Sequence, residues 1–399
     1  MSITVPEGYV YLDWAATAPL CAEAREAMEP FLASGLSNIA LGMNANSLHS
    51  PGRAAFEALE LARKQLASDI GASRPQEVIF TSGATEADNT VLLDMASAIA
   101  DARHVELGGD RPRVVMTELE HDAVLKCAKP LQHAGFDVSI VKPDRKGFIN
   151  PDALERVLDD RTVLVSVQMA NSEIGSIQSI AQLAKLTHDH GAYFHTDAVQ
   201  ALGKTEVNVY SLGVDAASFS AHKVCGPKGI GALFVKARTP FSAMVHGGGQ
   251  ENGRRSGTQN VCGAVGFAAA CHAAVSSLPE ESLRERSMRD ALYDALGAVD
   301  GVRATIDVAP GDMSYLPNIV NVLVSGYESE TLILKLDLAG YGVSGGSACS
   351  SHSLDPSHVL KAIGINDDEA YGALRISFGR YTSESDLQGF VEALRACIL

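Results

Sequence analysis

Residues 218–229, SFSAHKVCGPKG, join an apolar run to a glycine-rich turn and indicate the type of fold. The run over residues 214–219 has the composition of a short buried strand, so Lys223 leaves the end of a sheet and its ammonium lies in a cleft. A desolvated lysine has a lowered pKa and condenses with aldehydes, which is how pyridoxal phosphate is anchored as a Schiff base. An isolated lysine is more often a solvated residue at a loop end, so other residues must support the first interpretation.

The composition is that of a soluble globular protein. Its 399 residues suggest two or three domains, and 46% of them are hydrophobic. The formal net charge of -16 and the lack of a basic run argue against direct binding of nucleic acid. The N-terminal residues lack the features of a secretory signal, and the apolar stretch 262–275 is too short to cross a bilayer. We therefore expect a cytoplasmic protein without a membrane partner.

The seven cysteines are scattered and form no C-x-x-C pair. This spacing fits neither a disulfide framework nor a structural zinc site, and we predict no metal. Cys349 differs from Cys262 and Cys271 because it lies in the polar, glycine-rich stretch SGGSACSSHS rather than among apolar residues. A polar and exposed setting favours a reactive thiol, although a packed thiol remains the alternative.

Apolar strands alternate with helical segments over the first two thirds of the chain. Strands are predicted at residues 114–116, 138–141, 163–169 and 193–195, which indicates a mostly parallel sheet. Ligands of such sheets bind beyond the carboxyl ends of the strands. Four candidate site residues fall at or just past predicted strand ends: Asn171, Asp197, Gln200 and Lys223.

Two further stretches are ambiguous when read alone. Residues 82–86, SGATE, follow a brief strand and open a helix, which suits either an anion site or an ordinary helix cap. Asp197 ends an apolar strand and could also be a cap. Beside a Schiff-base lysine, however, a buried acid keeps a pyridine nitrogen protonated, so Asp197 and Lys223 support each other.

The sequence resembles the cysteine desulfurases of the class V aminotransferase family, in the NifS- and IscS-like group with the longer catalytic loop. The resemblance runs from residue 11 to residue 381 and is carried by TSGATEADN, ELEHDAVL, HTDAVQALG, SFSAHKVCGPKGIGAL, GGGQENGRRSGT and SGGSACSS, in that order. It implies the pyridoxal phosphate fold type I, an α/β fold with a mostly parallel seven-stranded sheet flanked by helices. We predict a large cofactor domain at residues 18–275 and a smaller α+β domain formed by residues 1–17 and 276–399.

The resemblance assigns roles to individual residues. Lys223 would carry pyridoxal 5'-phosphate, Asp197 would pair with the pyridine nitrogen, and Gln200 would contact the ring hydroxyl. His121 would stack on the ring and handle protons. The phosphate would be held by Ala84, Thr85, Ser220 and His222, with Thr258 reaching it from the other subunit of a homodimer. The substrate would be bound by Arg375, Asn171 and Ser172.

The implied reaction converts L-cysteine to L-alanine and leaves a persulfide on Cys349. An iron-sulphur scaffold or another sulphur carrier would then receive the sulphur, for cluster, cofactor or tRNA biosynthesis. The alternatives are a selenocysteine lyase, another class V aminotransferase or lyase, and a non-catalytic binding protein of the same fold. Cys349 separates them, because a transaminase has no need of a thiol there.

The chain departs from the family pattern in three places. Ser172 replaces the second asparagine of NNE, which leaves rate and substrate preference open. Trp14 replaces the asparagine of YLDNAAT, and we expect it to pack between domains rather than to reshape the mouth of the site. Met43 replaces a glycine of the GNPSS-like turn. The short tail after Arg375 leaves the docking of a particular partner open.

Overall fold

The computed structural model describes residues 5–35, 39–103, 110–346 and 356–398. Within these ranges the strands are β1 (Val10–Tyr11), β2 (Val78–Thr81), β3 (Arg113–Thr117), β4 (Asp137–Val141), β5 (Thr162–Ser166), β6 (Tyr193–Asp197), β7 (Ala216–Ser220), β8 (Gly231–Val235), β9 (Val302–Ala304), β10 (Ile319–Val324), β11 (Tyr341–Gly342) and β12 (Ala373–Ser377).

The α-helices of the same ranges are α1 (Ala22–Met28), α2 (Ser50–Asp69), α3 (Ala84–Asn89), α4 (Ala96–Ala102), α5 (Asp122–Leu125), α6 (Ala128–His133), α7 (Pro151–Glu155), α8 (Ile180–Asp189), α9 (Val261–Gly297), α10 (Ser329–Leu338), α11 (His358–Ala362), α12 (Asp367–Ala370) and α13 (Glu384–Ile398). A π-helical stretch, Thr90–Met95, joins α3 to α4. Several of these helices are shorter than the ten to fifteen residues expected from a βα alternation.

A seven-stranded sheet with the order β2-β8-β7-β6-β5-β3-β4 forms the centre of the molecule. The pairs from β7 to β4 are parallel, whereas β8 is antiparallel to both of its neighbours. The mostly parallel sheet predicted from the sequence is therefore confirmed, and β8 is the strand that the prediction lacked. Because β8 reverses between β7 and β2, β2 runs in the same direction as the parallel strands and ends at the same edge.

Alternate residues of the central strands face two separate cores. Val115 of β3 belongs to one hydrophobic cluster, while Val114 and Met116 belong to another. This is the two-residue period of a strand whose faces are both covered by helices. α2 covers one face with a stripe of buried residues that recur at helical spacing, among them Ala55, Leu59, Ala62 and Leu66.

A smaller antiparallel sheet with the order β12-β10-β9 lies in the C-terminal part, and β1 pairs with β11. A third hydrophobic cluster contains Leu12, Leu292, Leu336, Leu374 and Phe390. N-terminal and C-terminal residues thus share one core, in line with the predicted α+β unit.

The helix α9 crosses the predicted domain boundary at residues 275 and 276 without a break. Its first half packs against α1 and α2 with buried Phe267 and Cys271, and its second half places Leu292 and Leu296 in the smaller core. By length and composition α9 is apolar enough to cross a membrane, a property that core helices of soluble proteins share. The exact division into two domains stays a prediction.

Candidate active site

A cavity of about 460 Å³ lies at the carboxyl edge of the central sheet. The strands β2, β3, β6 and β7 all end there, as expected for ligand sites of parallel sheets. Of the residues predicted for the site, the cavity lining includes Ala84, Thr85, His121, Ser172, Asp197, Gln200, Ser220, His222, Lys223 and Arg375. The fold therefore brings together residues from distant parts of the sequence.

Lys223 closes a 3₁₀ turn, Ala221–Lys223, directly after β7. Its Nζ donates hydrogen bonds to the carbonyl oxygens of Ala15 and Ala16, at 2.5 and 2.9 Å. Burial lowers the pKa of Lys223 to about 8, and the positive charges of Arg375 and Lys204 act in the same direction. A substantial fraction of the amine is therefore neutral, and thus nucleophilic, near neutral pH.

Asp197 and Gln200 lie at the end of β6, and Asp197 is paired in register with Ser218 of the adjacent parallel strand β7. Asp197 accepts a hydrogen bond from the Val199 amide at 2.9 Å, and burial raises its pKa. The Gln200 amide donates to the Ala15 carbonyl at 2.9 Å. Its Oε1 is buried and has no hydrogen-bond partner among the residues that the structure describes, so it can accept a hydrogen bond from a ligand hydroxyl.

His121 precedes α5 and caps it. Its Nδ1 accepts a hydrogen bond from the Ala123 amide at 3.1 Å. The neutral ring therefore carries its proton on Nε2, which makes Nε2 a hydrogen-bond donor.

The opposite part of the cavity is built from backbone turns. β2 leads into the turn at Ser82 and Gly83, after which α3 starts at Ala84. A Cβ added at Gly231 would lie 2.7 Å from the Gly83 Cα and 2.6 Å from the Phe219 carbonyl, so a glycine is required for this close approach of β8.

Cations and hydroxyls surround the same turns. His222 Nδ1 lies 3.2 Å from the Thr17 hydroxyl. Burial, together with the charges of Lys223, Lys228 and Lys204, lowers the pKa of His222 to about 4, so its ring is neutral at physiological pH. Lys228 lines the cavity as well, although the sequence prediction did not include it.

Arg375 lies on β12 and is almost fully buried, with 1% of its surface exposed. Its Nη1 donates to the Ser172 carbonyl at 3.1 Å, and its Nη2 contacts Asp13 Oδ1 at 2.6 Å. Its Nε has no hydrogen-bond partner within the described ranges. The guanidinium is thus held in a fixed orientation while part of its donor capacity remains available to an anion.

Asn171 lies behind the cavity rather than in its lining, contrary to the position expected for a substrate ligand. Its Oδ1 accepts hydrogen bonds from the amides of Glu173 and Ile174, and its Nδ2 donates to the Leu119 carbonyl. Asn171 therefore holds the turn that presents Ser172 to the cavity.

Two predicted residues cannot be placed in the cavity of one chain. Thr258 is exposed and does not line it, and its expected contact would come from a second subunit. Cys349 lies outside the described residues. The residues on either side of that gap are anchored beside the site: Ser344 pairs with Arg375 through backbone hydrogen bonds, and the Ser357 hydroxyl donates to Glu173 at 2.6 Å.

Asp88 is a site residue that the sequence prediction missed. It lines the cavity, is 1% exposed, and neither carboxyl oxygen has a hydrogen-bond partner in the described part of the chain. Burial and the nearby charge of Asp197 raise its pKa well above the usual range. Its position within TSGATEADN, one turn after the start of α3, was the available signal.

Trp14 packs away from the cavity, as the packing interpretation expects. Its Nε1 donates to the Tyr11 carbonyl at 3.1 Å, and its ring lies 5.8 Å from that of Tyr381. The ring also covers Gly379, where an added Cβ would come within 2.3 Å of it.

Comparisons with known proteins establish the family. The chain matches the Aminotransferase class-V family over residues 10–390. Cysteine desulfurase IscS of Dictyoglomus turgidum is 40% identical over 390 residues, which cover 98% of this chain and 94% of that protein. A solved NifS-like protein has a TM-score of 0.86 at 34% identity, with 97% and 98% of the two chains covered. SspA, solved in complex with cysteine, has a TM-score of 0.78 at 29% identity, with 94% and 100% covered. The chain therefore belongs to the class V aminotransferase family, has the NifS-like fold, and falls within its cysteine desulfurase group.

Proposed function

We propose that the protein is a pyridoxal-phosphate-dependent cysteine desulfurase that converts L-cysteine to L-alanine and transfers the sulphur to Cys349. The observation that carries this proposal is the buried amine of Lys223 in one cavity with Asp197 and Arg375. Full-length similarity to proteins named cysteine desulfurase supports it.

The residues present fit the cofactor. Lys223 offers an amine that reacts with an aldehyde, and Asp197 offers a buried acid for the ring nitrogen. The unpartnered Gln200 Oε1 suits the ring hydroxyl. The turn after β2 offers the amides of Ala84 and Thr85 for the phosphate. Bound pyridoxal phosphate supplies an electron sink that stabilises negative charge at the α-carbon of the substrate.

The side chains around the cavity would orient the substrate and move its protons. Arg375 binds the substrate carboxylate, because a guanidinium matches a carboxylate with two parallel hydrogen bonds. The neutral amine of Lys223 accepts the α-proton, which its lowered pKa of about 8 permits near neutral pH. His121 offers the substrate a hydrogen bond from Nε2–H, since its Nδ1 is already an acceptor for the Ala123 amide.

Cys349 would take the sulphur as a thiolate. An S–S bond forms between Cys349 and the substrate sulphur while the substrate Cβ–S bond breaks, and the electron pair of that bond stays with the alanine carbon, which then gains a proton. The anchoring of Ser344 and Ser357 next to Arg375 and Glu173 keeps both ends of the Cys349 segment close to the substrate. The persulfide would pass to an iron-sulphur scaffold or another sulphur carrier.

The test is to incubate the purified protein with L-cysteine under anaerobic conditions and to measure alanine and sulphide in the presence of a reducing thiol. We expect equimolar products from the unaltered protein. Cys349→Ala should abolish both while the visible absorbance of the cofactor is kept, and Cys397→Ala should serve as the matched control. Alanine from Cys349→Ala would contradict the proposal. Preferential turnover of selenocysteine would favour the selenocysteine lyase.

We also propose a homodimer in the cytoplasm. Exposed Thr258 supports the dimer, since in one chain it lies away from the cavity that it is expected to complete. The cytoplasm is supported by the unpaired cysteines and by chemistry that depends on a reduced thiol.

A further inference from the structure

A second, small cavity of about 50 Å³ lies behind Lys223, on the side of the turn away from the main cavity. It separates the Ala221–Lys223 turn from α9 and from the residues that follow β12. Lys204 and Glu285 line it, together with Trp14 and Cys225. Neither Lys204 nor Glu285 has a role in the proposed reaction.

Lys204 makes a direct contact with the catalytic turn. Its Nζ donates a hydrogen bond to the Lys223 carbonyl at 2.9 Å. The preceding Gly203 has a φ of +72°, and an added Cβ there would lie 2.7 Å from the Ala274 Cβ of α9. A glycine is therefore required for this close approach of Gly203 to α9.

Glu285 balances the charge of Lys204. Glu285 is 7% exposed and lies on the second half of α9. Burial raises its pKa to about 7, while Lys204 opposes that shift. Burial also lowers the pKa of Lys204, against the opposing effect of Cys225 and Glu285. The Cys225 thiol has a pKa raised to about 11 by burial, so it stays neutral, and Glu285 is the acid beside Lys204 that ionises near neutral pH.

Four charged residues affect the protonation of the Lys223 amine. Arg375 on β12 and Lys204 disfavour its protonation, whereas Asp13 and Asp197 favour it. A substrate carboxylate bound to Arg375 would offset the positive charge of Arg375. Lys204 lies behind the turn, on the side of the small cavity, so a substrate carboxylate bound to Arg375 would not offset the positive charge of Lys204.

We propose that Lys204 is a positioning residue for Lys223: it anchors the turn through the Lys223 carbonyl and places behind it a positive charge that favours the neutral amine. The proposal rests on the proposed function only in that Lys223 is taken as the reactive lysine. Glu285 of α9 lines the same small cavity as Lys204 and favours the charged form of Lys204.

The experiment follows the titration of Lys223 itself. The full chain, freed of cofactor, is labelled with trace acetic anhydride over a range of pH, and the Lys223 peptide is quantified by mass spectrometry. Lys204→Met should raise the pH midpoint of Lys223 acetylation by about 0.5 to 1 pH unit. In the cofactor-loaded enzyme, the pH midpoint of the visible absorbance should shift in the same direction. Lys185→Met, which removes an exposed lysine paired with Asp189, should change neither value.

Further variants separate charge from folding. Lys204→Arg should restore the original midpoint, since it keeps the charge and the donor. Lys204→Met/Glu285→Gln removes both charges and should fold while keeping the raised midpoint. An unchanged midpoint in both Met-containing variants would overturn the proposal. Labelling needs no turnover. A protein that makes no alanine but shows the shifted midpoint of Lys223 acetylation would therefore contradict the desulfurase activity and leave the role of Lys204 intact.

Discussion

At Lys223, burial and charge act in the same direction. Removal from water disfavours the ammonium, and the charges of Arg375 and Lys204 disfavour it further. The two carbonyl acceptors at Ala15 and Ala16 hold the protonated form in place without cancelling that effect. The residue is therefore poised to exchange a proton close to physiological pH, as a general base requires.

Arg375→Lys should raise the KM for cysteine by about 10- to 100-fold, because one of two charge-assisted hydrogen bonds to the carboxylate is lost. A lysine at this position would keep the charge next to Asp13 but not the planar pair of donors. Steady-state kinetics of alanine formation provide the measurement. Arg303→Lys, at an exposed pair with Glu369, is the control and should leave KM unchanged. An unaltered KM in Arg375→Lys would argue against carboxylate binding at this arginine.

The sequence pointed to Lys223 and Asp197 because both follow apolar strands that are themselves recognisable. It did not point to Asp13, Asp88 or Lys204. Asp13 reaches Arg375 across 362 positions of the chain, and such a contact has no local pattern. Asn171 illustrates the opposite case: its motif lies at a predicted strand end, but its Oδ1 accepts hydrogen bonds from the backbone amides of Glu173 and Ile174, which no local pattern predicts.

Among the elements, the parallel strands could be predicted from their apolar runs, whereas β8 could not. Its five residues follow the lysine motif closely and resemble the continuation of a glycine-rich loop. Its reversed direction depends on pairing with β2 and β7, which lie far apart in sequence. The helical character of residues 261–298 could be predicted as well, although exposed Pro279 lies inside α9 and proline marks a helix end more often than a helix interior.

Arg63→Met should destabilise the protein by about 3 to 5 kcal/mol, since it leaves a buried carboxylate without its partner. Arg63 on α2 binds Glu251 through both Nη atoms, at 2.5 and 2.8 Å. Glu251 also accepts a hydrogen bond from the Phe80 amide of β2. The Arg63–Glu251 pair therefore connects the segment before Thr258 to the sheet. Unfolding in urea measures the change in the free energy of unfolding.

Two controls accompany this measurement. Arg25→Met, at an exposed pair with Glu26, should have almost no effect on unfolding. Arg63→Met/Glu251→Met should recover much of the loss, because no buried charge remains. A loss below about 1 kcal/mol in Arg63→Met would show that Glu251 finds water or another partner.

At the scale of the whole molecule, the dimer is the main open prediction. The protein loaded with cofactor should sediment with twice the chain mass of 42.0 kDa. Thr258→Ala should keep that mass but weaken pyridoxal phosphate binding about fivefold, the value of one hydrogen bond. Sedimentation velocity and equilibrium dialysis test the two parts. A monomer that retains the cofactor at full affinity would contradict the shared site.

The placement of β2 also bears on how the chain is made. Among the strands that the structure describes, β2 is held in the central sheet by β8 alone, so the strand before the Ser82–Gly83 turn has no pairing partner until residue 231 has left the ribosome. At elongation rates of about 5 to 20 residues per second, this delay amounts to roughly 7 to 30 s. During that time Val78–Thr81 is an apolar edge in a nascent chain, and a chaperone or the preceding helix α2 must shield it.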